Sequence, residues 1–186
     1  MILRTVLLPL ALAITSAVAA PVAAADYVQA SGALTFASQY QGETFVGSFP
    51  GFRTTMRFDP AAPQDATLDV VIPLAGANTG NTDRDTTLKA GDFFDVARFG
   101  QARYTASGFI PQGDGSYSTD GTLELRGVRK PVTLSFTLTD GARPTLAGRA
   151  KLSRLAFGVG VGDWADVSII PDEVAISTRV TFAPAP

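Results

Sequence analysis

The sequence predicts an all-β protein: one antiparallel sheet of about eight to ten strands, closed into a barrel or folded into a sandwich, with one short helical insertion. Three observations predict it. Apolar residues recur at every second position almost everywhere after Asp26, the pattern of strands with one buried and one solvated face. Turn sequences rich in Gly, Asp and Pro separate these runs, many at hairpin spacing. Helix signals are confined to one stretch, Thr82 to Gly91.

In the first run Leu34, Phe36 and Tyr40 share one parity, and Thr35, Ala37 and Gln39 the other. Phe52, Met56 and Phe58 alternate with Arg53, Thr55 and Arg57. Asp59-Pro60 then turns the chain into Leu68, Val70, Ile72 and Leu74, which alternate with Thr67, Asp69 and Val71. The helical stretch comes next: Thr82 or Asp83 can cap it, Arg84 and Leu88 lie one turn apart, and Gly91 can end it. The Phe93-Phe94 pair beyond would pack this insertion as a lid or plug. After Gly113-Asp114-Gly115 and Asp120-Gly121, Leu123 and Leu125 alternate with Thr122, Glu124 and Arg126. Val132, Leu134, Phe136 and Leu138 follow, up to a turn at Asp140-Gly141. Beyond a turn region from Gly160 to Asp163, Val174, Ile176, Val180 and Phe182 form the last run.

Upstream of the strands, Arg4 is the one charge before Asp26, and Val6 to Ile14 is an apolar run. Small residues follow in Ala17-Val18-Ala19 and Ala23-Ala24-Ala25. A basic start, a short apolar stretch and an A-x-A site are the layout of a secretory signal peptide. The run falls short of the roughly 20 residues that span a membrane. Residues 1–25 are therefore expected to be removed by cleavage after Ala25, with Ala19 as the second site, leaving one exported domain over 26–186. Without Arg4, 14 basic residues face 17 acidic ones, a formal charge of −3. The two signs are interspersed, which argues against nucleic acid as a partner.

The chain has no cysteine and no histidine. That excludes disulfides, a thiol nucleophile and a Ser-His-Asp triad, and it removes the commonest general base and transition-metal ligand. Asp83, Asp85, Asp92 and Asp95 invite a metal or glycosidase reading. Asp83-x-Asp85 begins a calcium ladder whose other ligands are missing, so helix capping and a salt link to Arg84 are expected instead. Arg126 to Lys130 reads as a solvated hairpin turn, with contact to anionic lipid headgroups as its functional alternative. Gly158, Gly160 and Gly162 have no surrounding βαβ unit and read as a tight turn or bulge. The apolar faces of the strands can fill a solid core, line a ligand cavity, or face lipid outside a membrane barrel. The last reading would favour an aromatic chain end, whereas Phe182 is followed by Ala-Pro-Ala-Pro.

Four segments occur in order over nearly the whole chain after Asp26. They are Gly47-Ser48-Phe49 with Phe58-Asp59-Pro60; Asn78-Thr79 through Arg84-Asp85, Leu88 and Asp92-Phe93-Phe94-Asp95; Gly121 to Val132 (GTLELRGVRKPV); and Ser153-Arg154 with Phe157-Gly158-Val159-Gly160. In these segments the chain resembles the YceI-like family of polyisoprenoid-binding proteins. It departs from the family where histidines are common, reading Tyr40-Gln41-Gly42-Glu43 and Leu88-Lys89-Ala90 there, and Trp164 has no assigned role. Leu34-Thr35-Phe36 with Gly42-Glu43-Thr44-Phe45 resembles a subgroup fused to a membrane b-type cytochrome.

The resemblance implies a lipocalin-like barrel in the periplasm, a binding protein without catalytic residues or covalent cofactor. Its lumen would hold an isoprenoid lipid of quinone or polyprenol type. A membrane b-type cytochrome or another quinone-handling membrane protein is the implied partner. An eight-stranded barrel has an interior wide enough for one small ligand, and each buried methylene contributes about 0.8 kcal/mol before ordering costs. The expected ligand-binding residues are Phe36, Phe45, Phe58, Val70, Ile72, Leu88, Phe93, Phe94, Leu125, Leu134 and Phe136. Arg84 and Asp85 are expected to orient a headgroup at the mouth. Two other classes stay open: a hydrolase using convergent carboxylates, and a structural barrel with a filled interior.

Overall fold

The computed structural model describes residues 24–186. The expected leader and its cleavage sites lie outside the described residues, apart from Ala24 and Ala25. The strands are β1 (Ala25–Tyr40), β2 (Glu43–Ser48), β3 (Arg53–Phe58), β4 (Thr67–Pro73), β5 (Gln101–Ser107), β6 (Ile110–Pro111), β7 (Ser116–Leu125), β8 (Val128–Leu138), β9 (Thr145–Ser153) and β10 (Glu173–Pro184). Among the described residues one α-helix, α1 (Thr82–Lys89), stands between β4 and β5. Among the described residues no helix is long and apolar enough to cross a membrane.

Burial follows the predicted parity. In β3, Thr54, Met56 and Phe58 are buried while Arg53, Thr55 and Arg57 are exposed. In β8, Leu134 and Phe136 are buried while Thr133, Ser135 and Thr137 face solvent. The outward row is thus polar, unlike the apolar band of a membrane barrel. Two hairpins turn on pairs with positive φ, Gln41-Gly42 (51° and 84°) and Arg126-Gly127 (52° and 73°). Paired positive φ values match the twist of the flanking strands.

Every ladder is antiparallel, and the sheet closes on itself. β1 pairs with β10 from Tyr27↔Pro184 to Ala37↔Ala175. Its other edge is divided: Ala25 to Val28 pair with β3, and Thr35 to Tyr40 pair with β2. The circuit β1-β10-β9-β8-β7-β5-β4-β3 returns to β1, an eight-stranded barrel with β2 and β6 outside it. Where β1 passes from one neighbour to the other, Gln29 Nε2 donates to the Phe52 carbonyl (3.1 Å) and Phe49 N–H to the Leu34 carbonyl (3.0 Å).

The two ends differ. At the end where β3 finishes and β7 begins, Phe109 packs on Phe58 (centroids 5.8 Å) and edge-on to Phe136 (4.9 Å), and Tyr117 stacks on Phe136 (5.6 Å). These rings form a solid floor. Phe58 and Phe136 have the inward parity expected of lining residues but belong to this floor. The opposite end carries α1 and two loops, residues 90–100 and 154–172. Asn81, one residue before the expected caps, caps α1, its side chain accepting from Arg84 N–H (2.9 Å).

Phe136→Asp is expected to lower stability by about 4 kcal/mol or more, since it removes a floor ring and buries an unpaired carboxylate. Ser135→Asp, exposed and across the ladder from Arg149, should change stability by about 0.5 kcal/mol or less. Urea unfolding of the two variants compares them directly.

Candidate functional site

Above the aromatic floor lies a cavity of about 450 Å³, lined by inward side chains from around the barrel and by α1. Its size falls in the range of small-molecule sites, and its wall is mostly aliphatic and aromatic. Of the expected residues, Phe36, Phe45, Val70, Ile72, Leu88, Phe93, Phe94, Leu125, Leu134 and Arg84 line it. Phe58, Phe136 and Asp85 do not. Close packing over the wall rests on absent side chains: a Cβ at Gly47 would sit 2.2 Å from the Phe36 ring, and one at Gly121 2.3 Å from Tyr104. Tyr104, also on the wall, donates its hydroxyl to the Val132 carbonyl (3.1 Å). Burial first, then the Asp120 charge, pushes its phenol up to about 12.

At the mouth, α1 presents Asn81, Asp83, Arg84, Thr87 and Leu88 to the cavity. The Arg84 guanidinium lies 4.3 Å from the centroid of the Phe45 ring, and its Nε donates to the Thr79 hydroxyl (3.0 Å). That geometry combines a cation–π contact with two terminal nitrogens that bond no group among the described residues. The salt link expected for Arg84 is absent from the ion pairs of the described residues. Asp85 instead accepts from Thr79 N–H (2.7 Å) and Thr79 Oγ1 (2.6 Å), turning away from the lumen to hold the loop before α1. Asp95 pairs with Arg98 (3.5 Å). Among the described residues no three of His, Cys, Asp and Glu cluster to hold a metal.

The rest of the mouth hangs on Arg154, which periodicity did not single out because its partners are carbonyls of its own loop, which carries no periodic signal. It is 3% exposed, and all five of its donors reach main-chain oxygens. Nε bonds Pro171 (3.1 Å), Nη1 bonds Val159 (3.0 Å) and Gly160 (2.7 Å), and Nη2 bonds Trp164 (2.9 Å) and Ile170 (2.7 Å). Burial lowers the affinity of this guanidinium for its proton, opposed by Asp172. Gly160 passes beside it with φ +72°, where a Cβ would stand 2.3 Å from Nη1. Trp164, held by its own carbonyl, lines the cavity and packs edge-on to Phe93 (5.5 Å) and near Tyr40 (6.5 Å). Arg126, expected in a solvated turn, points inward, its Nη1 bonding the carbonyls of Phe93 (2.5 Å) and Gly158 (2.6 Å). It ties the segment after α1 to the Arg154 loop.

Comparison with known proteins agrees with this geometry. The YceI-like domain matches residues 26–182, and the chain belongs to that family. A UPF0312 protein from Pseudomonas fluorescens is 33% identical over 167 residues, covering 80% of this chain and 84% of its own. Among solved structures, BcnA from Burkholderia cenocepacia superposes with a TM-score of 0.77 at 29% identity, covering 81% of this chain and 95% of its own. A polyisoprenoid binding domain from Saccharophagus degradans, implicated in plant cell wall breakdown, shares the fold, with a TM-score of 0.66 at 15% identity. That match covers 88% of this chain and all of the domain.

Arg154→Met should cost about 3 to 5 kcal/mol, because it orphans five carbonyls, three of them in buried bonds and two half-buried. Gly160→Ala should cost more than Gly162→Ala, whose φ is also positive but whose Cβ would meet open space. Fluorescence of Trp164, the single tryptophan, reports unfolding of this loop. Asp172 gives a pH test. It accepts from Leu155 N–H and Ser153 Oγ (2.9 Å each), which, with Arg154, hold its carboxyl below the usual range. A folded value below the unfolded one gives stability present above about pH 4 and lost as pH falls through the lowered value. Acid titration of Asp172→Asn should therefore lack that loss.

Proposed function

We propose that this YceI-like protein is an exported, periplasmic carrier that holds one isoprenoid lipid, a quinone or polyprenol, in its barrel lumen. The observation that carries the reading is the cavity of about 450 Å³ whose wall is mostly apolar and at whose mouth sits Arg84, with two terminal nitrogens that bond no group among the described residues. A tail of branched hydrocarbon is driven into such a space by about 0.8 kcal/mol per methylene-sized unit, and no directional anchor is needed along it. The shared fold with a polyisoprenoid binding domain supports the same ligand class.

Arg84 serves the headgroup. Its free nitrogens offer charge-assisted hydrogen bonds to a quinone carbonyl or a phosphate oxygen, with Asn81 and Thr87 beside it. A quinone ligand would make a quinone-handling membrane protein, such as a b-type cytochrome, the exchange partner. The hydrolase alternative needs two convergent carboxylates, and Asp83 is the single carboxylate on the wall among the described residues. The filled-barrel alternative is at odds with the volume above the floor.

Mass spectrometry of an organic extract of gently purified periplasmic protein should find an isoprenoid lipid, chemically unaltered, on a chain beginning at Asp26. Reloading stripped protein with it should raise the melting temperature, since a ligand of the folded state stabilises that state. Arg84→Ala should weaken binding about tenfold, and Val70→Trp should block it. An empty extract, with no stabilisation by quinones or polyprenols, would overturn the carrier reading.

A further inference from the structure

The inward row of β3 reads Thr54, Met56, Phe58, and the barrel wall is otherwise apolar or internally bonded except at Ser38 on β1, whose hydroxyl is likewise unbonded among the described residues but sits toward the mouth, across the ladder from Phe45. Tyr104 is bonded to Val132, Thr178 to the Ala33 carbonyl (3.2 Å) and Arg154 to its five carbonyls. Thr54 differs. It lines the cavity, is 3% exposed, and its hydroxyl bonds no group among the described residues. Met56 and Phe58, next on the row toward the floor, do not line the cavity, so Thr54 is the one β3 side chain on its wall, level with Val70 and one inward step above Leu68 on β4. Nothing in strand formation asks for a hydroxyl there. Valine has the same shape and β-propensity without a buried unpaired polar group.

We infer that Thr54 is a hydrogen-bonding subsite on the lumen wall below the mouth, and that the ligand meets it with an oxygen function, a hydroxyl or carbonyl, rather than with bare hydrocarbon. The inference rests on the carrier reading and deepens it: Arg84 selects at the mouth and Thr54 below it. A threonine hydroxyl can donate or accept, so either oxygen function satisfies it, and the hydroxyl's own burial cost is then offset only in the loaded protein. A lipid lacking that group leaves both the site and its hydroxyl unbonded, and discrimination of this kind is strong because buried polar groups are costly to leave unpaired.

The test compares farnesol with ω-hydroxyfarnesol, probes that differ by one terminal hydroxyl, on delipidated wild-type protein, Thr54→Val and Thr54→Ser, by competition binding and thermal melts. Thr54→Val should shift the affinity ratio against ω-hydroxyfarnesol by about fivefold to tenfold while leaving farnesol binding equal or tighter. Thr54→Ser should restore the wild-type ratio, and Thr54→Val should melt no lower than wild type when empty. An unchanged ratio across the three proteins, with both probes binding, would overturn this inference and leave the carrier reading standing. Binding of neither probe to wild-type protein would overturn both.

Discussion

β1 bonds to β10 along one edge and divides the other between β3 and β2, and the rest of the molecule follows from that double pairing. An open antiparallel sheet has two rows of unpaired backbone groups; a closed one has none. Closure also decides where the apolar row goes. Once the sheet meets itself, side chains of one parity are enclosed whether or not they can fill the space. With eight strands in the circuit the enclosed space is as wide as a small ligand, and residue size along the barrel axis determines which part is solid. Phe58, Phe109, Tyr117 and Phe136 fill one end. Aliphatic side chains such as Val70, Leu123 and Leu134 leave the middle open.

The mouth is built on a different physics. Loops 90–100 and 154–172 have little regular structure, so their carbonyls need partners that strands would otherwise provide. Two arginines supply them. Arg154 bonds five carbonyls, and Arg126 bonds one from each loop. A buried arginine that bonds no carboxylate directly is costly to desolvate, yet here each N–H has an oxygen, so the cation acts as a template around which the loop folds. The left-handed backbone at Gly158, Gly160 and Gly162 lets the chain wrap that tightly, and Gly160 leaves the room Nη1 occupies. The same wrapping delivers Trp164 to the rim, where it meets Phe93 from the other loop.

Site and scaffold are therefore coupled through few residues. Asp85 has the side chain of a metal ligand, yet it fixes backbone geometry: by way of Thr79 it holds the loop that presents Arg84. Asp172 caps the short turn at Leu155 beside Arg154. Asp83, two residues before Asp85, faces the cavity instead.

The strands, their inward faces and the helical insertion were legible in the sequence because each depends on local spacing: a period of two assigns a side to every residue, and Thr82 to Gly91 carries its own helix start and stop signals, although the cap itself falls one residue earlier, at Asn81. Leu34, Phe36, Val70, Leu125 and Leu134 could thus be assigned to the interior without coordinates. Depth along the barrel could not, since it depends on the stagger between strands distant in sequence; Phe36 on the wall and Phe136 in the floor share one parity and differ only in level. Nor could the roles of Arg154, Arg126 and Asp85, whose partners are carbonyls and hydroxyls supplied by loops that carry no periodic signal. Thr54 lay in plain view on the apolar parity of its strand, but whether its hydroxyl found a partner was decided only when the barrel closed around it. Periodicity reports which way a side chain points, and only the closed fold determines what it meets there.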